Sequence, residues 1–382
     1  MTQQDKVDMT RLSPGETTKR PPKPDEGNVP RPGPEVHLDE WVAPDIADDR
    51  GFLRAGKILE WMDVVGVLAA ARHCRRSVVT ASVDGLELTA PIRVGERVTM
   101  TASVAHTSER SVGISITVRH GTGAPSNGHP CVGAYMTFVA PDDSGRAIRV
   151  PQFIPETPAE LARFREGELR REFRKRLESG GVVPSAPLGE ATRGEDADAV
   201  LLVREWLKTL PRLRMPWDRS DPLRPRTRHV SYIHKIEPIR IGKLNFHGTL
   251  YGGTLMRWLE GAASLSARAY LGGSAVRLTS LQGLTFIRPA PRDLFVHIRS
   301  VVVHASSEGV TALVNVRAED PVEGAYVDIL RAFLSYAPLE DTGIPPLEIN
   351  GDDDRALFQE VESRRALQKA LSMEREASSS RS

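Results

Sequence analysis

Cysteine is nearly absent from this chain: Cys74 and Cys131 are the only two in 382 residues. Neither lies in a CxxC or beside a histidine cluster, so a disulfide framework, structural zinc and any other metal site are not expected. Aromatic residues are also scarce, at 5%, too few for a base-stacking platform. The formal charge is balanced at +1 with the basic residues dispersed, and nucleic-acid binding is not expected. No apolar run is long enough to span a bilayer. The N-terminal stretch has no apolar signal segment, and the final REASSSRS matches no lipidation or retention signal. The expectation is a cytoplasmic protein with reduced thiols, and the chain is long enough for two domains that each bury a core.

The sequence contains a long internal repeat. Residues 51–63 read GFLRAGKILEWMD and residues 248–260 read GTLYGGTLMRWLE, pairing Gly51 with Gly248, Gly56 with Gly253, Trp61 with Trp258 and Asp63 with Glu260. TASVDGLELTAPIRVGERV (80–98) runs beside LTSLQGLTFIRPAPRDLFV (278–296), and the halves close alike on GAYMTFVAP (133–141) and RAFLSYAPL (331–339). A period near half the chain length is too long for a solenoid and reads as two copies of one domain.

Within the first copy, Ile58, Leu59, Met62, Val65 and Ala69 form one apolar stripe, predicting a helix over Ala55–Cys74. Short β-rich runs separated by turn signals follow it. The second copy repeats the plan, with Leu255, Met256, Leu259, Ala262 and Ala263 on the buried side of a helix over Gly253–Tyr270. One apolar helix followed by antiparallel strands is an α+β pattern. The expected layout is a disordered lead (1–35), a first domain (36–150), a charged helix and linker (151–230), a second domain (231–340) and a C-terminal tail (341–382) with one helix. The helix in PETPAELARFREGELRREFRKRLESGG is read as an exposed, solvated connector with i,i+4 pairs such as Glu166–Arg170. The Arg- and Pro-rich RLRMPWDRSDPLRPRTRH is read as an irregular crossing.

The differences between the copies locate the chemistry. In LNFHGTLYGGT an asparagine precedes a Gly-Gly turn that opens a helix. Gly252 and Gly253 place backbone N–H donors at the positive end of the helix dipole, suited to a developing oxyanion. Asn245 can donate and accept, and so can hold a water or a carbonyl oxygen. The first copy has Asp48 at the equivalent position. Asp63 sits on an apolar helix, where burial raises the proton affinity of a carboxylate and suits it to act as base or nucleophile. Glu260 is one methylene longer. If the domains pair face to face, Asn245 with Asp63 makes one composite site, and Asp48 with Glu260 makes a two-acid pseudo-site.

At these residues the chain resembles a known family. The pattern GxLxAGxxLxWMD…AAxxH…VTASVD, from Gly51 to Asp84, and NFHGTLYGGTLMRWLE in the second copy are similar to the double-hotdog cytosolic acyl-CoA thioesterases (acyl-CoA hydrolases). The resemblance implies tandem hotdog domains, each a long helix wrapped by an antiparallel sheet, assembling as a homo-oligomer, a trimer of double hotdogs. It implies hydrolysis of acyl-CoA to fatty acid and CoA, no cofactor beyond the CoA of the substrate, and a site built from Asn245 and Asp63. The domain order resembles members with Asp first and Asn second. Those members continue into a lipid-binding START domain, which this chain is expected to lack. Arg110, Ser111, Arg75 and Arg76 are candidates for the CoA phosphates. Asp63 either activates a water or attacks directly to give a mixed anhydride. Two rival readings stand beside this one: a hotdog hydratase or dehydratase, with His247 as its suggestive histidine, and a non-catalytic acyl-CoA-binding regulatory module.

Overall fold

The computed structural model describes residues 35–123, 128–142, 145–179, 225–340 and 343–379. The disordered lead expected before residue 35 and most of the Arg- and Pro-rich crossing lie outside the described residues. The first half runs β1 (Val36–Trp41), α1 (Ala55–Cys74), β2 (Val79–Leu88), β3 (Arg97–Thr107), β4 (Val112–Gly121), β5 (His129–Val139) and α2 (Pro158–Ser179). The second half repeats it as β6 (Ile233–Pro238), α3 (Gly252–Tyr270), β7 (Val276–Phe286), β8 (Phe295–Ser306), β9 (Gly309–Asp320), β10 (Ala325–Pro338) and α4 (Asp352–Ser379).

The strands form one 10-stranded sheet in the order β1-β3-β4-β5-β2-β7-β10-β9-β8-β6. All of its pairings are antiparallel. The seam between the halves is β2 against β7, with Val83 opposite Leu284 and Leu86 opposite Leu281. Each half wraps its own helix, because the strands bury alternate residues toward it: Val98, Met100 and Ala102 of β3 are fully enclosed, as are Val296 and Ile298 of β8. The apolar stripes of α1 and α3 meet these faces in one continuous core, each large side chain contributing roughly 1.5–3 kcal/mol of burial. α1 and α3 also lie side by side. Gly253 abuts Glu60 and Asp63 while Gly56 abuts Arg257 and Glu260, which makes the helices antiparallel neighbours.

The charged helix α2 is not the solvated connector expected for it. The Glu166–Arg170 pair forms at 2.9 Å, but Arg170 is buried and its Nη1 donates to the Asp84 carbonyl at 2.8 Å. Phe164 stacks on His106 of β3, with ring centroids 4.8 Å apart. α4 repeats this docking in the second half. Phe358 stacks on His304 at 4.5 Å, and Arg364, bonded to Glu360, lies over Phe333. Beneath α4 a second small core joins Val301, Val303, Leu313, Phe333, Leu357 and Val361. Periodicity alone does not reveal this, because a helix with few apolar positions can dock through a stacked ring and an arginine stem. Both helices therefore pack on the repeats that precede them, and the sheet carries helices on both faces.

Glu360, at 3% exposure, joins Arg331 and Arg364 beneath α4 at 2.9 and 2.8 Å. Removing it strands two largely buried guanidiniums, so Glu360→Ala is expected to cost about 2–4 kcal/mol in urea unfolding. An unchanged midpoint would mean that α4 is not docked.

Candidate active site

Neither central helix caps itself. Arg54 and Tyr251 occupy the N-cap positions of α1 and α3, and neither makes a side-chain cap hydrogen bond. The first N–H groups of a helix have no partner within it, and here each helix supplies the missing acceptor for the other. The Gly253 N–H donates to Asp63 Oδ2 at 2.7 Å, and the Gly56 N–H donates to Glu260 Oε2 at 3.2 Å. Glycine lets the two helices approach closely at these two positions. A Cβ on Gly253 would lie 3.1 Å from the Glu60 backbone and 3.2 Å from Asp63 Cβ, and one on Gly56 would lie 3.0 Å from Glu260 Oε2.

A hydroxyl completes each carboxylate's surroundings. Thr80 of β2 donates to Asp63 Oδ1 at 2.6 Å. Tyr336 of β10 places its hydroxyl 3.3 Å from Glu260 Oε1 and 3.2 Å from the Glu260 carbonyl. Asp63 is 1% exposed. Burial, reinforced by the nearby Glu60 charge, pushes its carboxyl up to about 6 against the pull of Thr80 and Gly253. Burial likewise pushes Glu260 up to about 7, opposed by Gly56, Tyr336 and Arg54. Burial and the Asp63 and Glu60 charges raise the Tyr251 phenol, keeping it protonated.

Asn245 lies in the turn that feeds α3. Its Oδ1 accepts from the His247 N–H at 2.9 Å, the Thr249 N–H at 3.2 Å and the Thr249 hydroxyl at 3.1 Å. Three donors converging on one oxygen orient the amide and leave Nδ2 as its outward donor. Asp48 builds the same turn in the first half, accepting from the Arg50 and Phe52 N–H groups at 3.0 and 2.8 Å. No hydrogen bond joins Asn245 to Asp63. They are linked through the chain, since the turn of Asn245 continues into the helix whose Gly253 binds Asp63.

Gly253 is not the oxyanion donor that the Gly-Gly turn suggests, because its N–H is committed to Asp63. Gly252, the first residue of α3, has an N–H that no carbonyl of its own helix can take. The CoA-phosphate candidates are not gathered at the carboxylates. Arg75 and Arg76 follow the far end of α1, about 18 Å along the axis from Asp63. Arg110 is exposed in the β3–β4 turn, and the Ser111 hydroxyl is paired with Ser108 at 2.6 Å. The His247 side chain is exposed. Thr80 and Tyr336 escape sequence reasoning, since their signal lies in strand pairing: Thr80 sits opposite Phe138, and Tyr336 opposite Leu278. Among the described residues no group of three or more His, Cys, Asp or Glu is placed to hold a metal ion, and no helix is long and apolar enough to cross a membrane.

Two helices, each wrapped by half of one antiparallel sheet and crossing at reciprocal carboxylate–N-terminus contacts, define a tandem hotdog protein. Residues 51–126 and 247–325 both match the model of the thioesterase superfamily. An acetyl-coenzyme A thioesterase of Rattus norvegicus is 28% identical over 87% of this chain and 57% of its own length. The human cytosolic acyl coenzyme A thioester hydrolase is 34% identical over 39% of each chain. The uncharacterized acyl-CoA thioester hydrolase YkhA of Bacillus subtilis is 30% identical over 31% of this chain and 70% of its own. The chain belongs to the thioesterase superfamily. It spans only 57% and 39% of the lengths of the rat and human relatives.

The raised affinity of Asp63 for its proton has a thermodynamic consequence. The folded protein binds this proton more tightly than the unfolded chain does. Stability from this group is therefore highest below pH 3.8 and declines as pH rises to about 6. Urea unfolding across that window is expected to show wild type losing on the order of 2–4 kcal/mol relative to Asp63→Asn. Parallel pH profiles would mean that Asp63 is not desolvated.

Proposed function

We propose that this protein is an acyl-CoA thioesterase that hydrolyses the thioester of acyl-CoA to free fatty acid and CoA at one composite site between its hotdog domains. The observation that carries this reading is Asp63: a buried carboxylate pinned by a helix N–H and a hydroxyl, with its proton affinity raised toward neutrality. The names of the three relatives support the substrate class.

In the proposed reaction the thioester carbonyl lies between Asp63 and the Asn245 turn. Asn245 Nδ2 and the Gly252 N–H polarise the carbonyl oxygen as negative charge develops on it. Gly253 and Thr80 fix the Asp63 carboxylate while leaving it unshared lone pairs. Asp63 then takes a proton from the attacking water, or attacks the carbonyl carbon to form a mixed anhydride that water cleaves. Either route expels CoA thiolate and needs Asp63 ionised. Asp48 and Glu260 form the pseudo-site, in which Tyr336 engages the acid and no asparagine is present. Arg75, Arg76, Arg110 and Ser111 remain candidates for the CoA phosphates only if the nucleotide reaches beyond the helix crossing. A cytoplasmic location accords with the cytosolic human relative, and a trimer of double hotdogs is the proposed assembly.

Free-thiol release from a panel of acyl-CoAs tests the reading. Asp63→Ala is expected to lower kcat by roughly 10²–10⁴-fold, and Asn245→Ala by about 10²-fold. Glu260→Ala is expected to lower stability but to leave the folded protein's turnover within a few-fold of wild type. Activity should rise with pH through a midpoint near 6, where Asp63 ionises. Wild-type turnover by Asp63→Ala would overturn the assignment. Acyl-CoA binding without thiol release would point to a binding module, and water addition to an enoyl-CoA to a hydratase.

A further inference from the structure

The two carboxylate pockets share one donor plan and differ in the charge set beside it. Pairing the repeats puts Arg54 of the first half against Tyr251 of the second, and Glu60 against Arg257. Because α1 and α3 run antiparallel, these exchanges act across the pairing. Glu60 and Tyr251 both bear on Asp63, whereas the Arg54 guanidinium bears on Glu260. One acid therefore has a second acid for a neighbour, and the other has a cation.

Glu60 is held firmly in this position. It lies one helical turn before Asp63, a spacing that puts the two side chains on one face about 5–6 Å apart at Cβ. Its Oε2 is 2.9 Å from Lys57 Nζ on its own helix and 3.6 Å from Arg257 Nε on α3. Its backbone forms the wall against which Gly253 packs. The side chain is one-fifth exposed, at 20%, so water screens it only in part. The remaining groups around the pair are the Tyr251 phenol and the Thr80 hydroxyl, which are both neutral.

We propose that Glu60 is a positioning residue of the Asp63 site: clamped by Lys57 and Arg257 one helical turn before it, it sets a negative charge beside Asp63 that strengthens this carboxylate as a base. The proposal rests on the thioesterase reading and deepens it. The like charge makes a proton on Asp63 more welcome, so the carboxylate draws a proton from water more readily once ionised. Arg54 does the opposite at Glu260, where the cation favours the ionised acid.

Variants of the full chain decide it, read as kcat/KM for thiol release against pH. Removing the Glu60 charge eases ionisation of Asp63, so Glu60→Gln should move the acidic limb down by about half a unit. It should lower plateau kcat by about two-fold with KM unchanged, and Glu60→Asp should restore most of the limb. Arg257→Gln removes a cation and should move the limb up. Opposite displacements from neighbouring positions cannot come from loosened packing. An unmoved limb in Glu60→Gln, or a shift of the same sign in both variants, overturns the proposal. If the wild type releases no thiol from any acyl-CoA, the thioesterase reading fails by itself. NMR titration of the 13C-labelled Asp63 carboxyl in wild type and Glu60→Gln then decides the role of Glu60 without turnover: a downward displacement keeps it and none overturns it.

Discussion

The structure depends on one reciprocal contact: the N-terminus of each central helix is capped by an acid from the other. Gly253 N–H to Asp63 and Gly56 N–H to Glu260 are the same interaction made twice across a pseudo-twofold axis. It satisfies N–H groups that neither helix could satisfy alone. It also accounts for glycine at both crossing positions, for the antiparallel pairing of α1 and α3, and for two carboxylates buried between the central helices. A buried acid is costly unless its oxygens are bonded. Here the bonds come from a helix end, whose partial positive charge suits a carboxylate. The same enclosure that makes the contact dry raises the proton affinity of the acid, so the structural cap and the proposed base are one group.

Around that contact the rest of the molecule is bracing. The β2–β7 seam holds the half-sheets in register, and the sheet in turn brings Thr80 and Tyr336 to the acids. α2 and α4 close the opposite face through an equivalent pair of stacked rings and arginines. Each half therefore carries a docked outer helix in addition to its wrapped one, and the repeat is longer in space than the matching strings of sequence.

Much of this is legible in the order of residues. The apolar stripes mark α1 and α3 because a 3.6-residue period survives in a helix with one buried face. The repeat marks the duplication and singles out Asp63, Glu260, Asn245 and Asp48 by their mismatches. The hydroxyl partners are not legible. Thr80 and Tyr336 come from different strands of their halves, and each faces an apolar residue, Phe138 or Leu278, across the ladder. Aligned by sequence, the two positions look like unrelated substitutions. Only strand pairing shows one donor moved from one strand to its neighbour. The role of Gly253 is hidden for the same reason. A Gly-Gly turn at a helix start announces free N–H donors, and nothing local says that an acid from 190 residues away has taken one of them.

By itself the sequence determined the local elements and their duplication, since helix period, strand alternation and turn glycines act over a few residues and need no partner. It also determined that the copies are unequal, with Asn and Asp in one combination and Asp and Glu in the other. The tertiary structure alone decided what those acids do. Their neighbours are set by the crossing of two helices and the seam of two half-sheets, and burial, hydrogen bonding and charge at Asp63 are properties of that junction rather than of either copy.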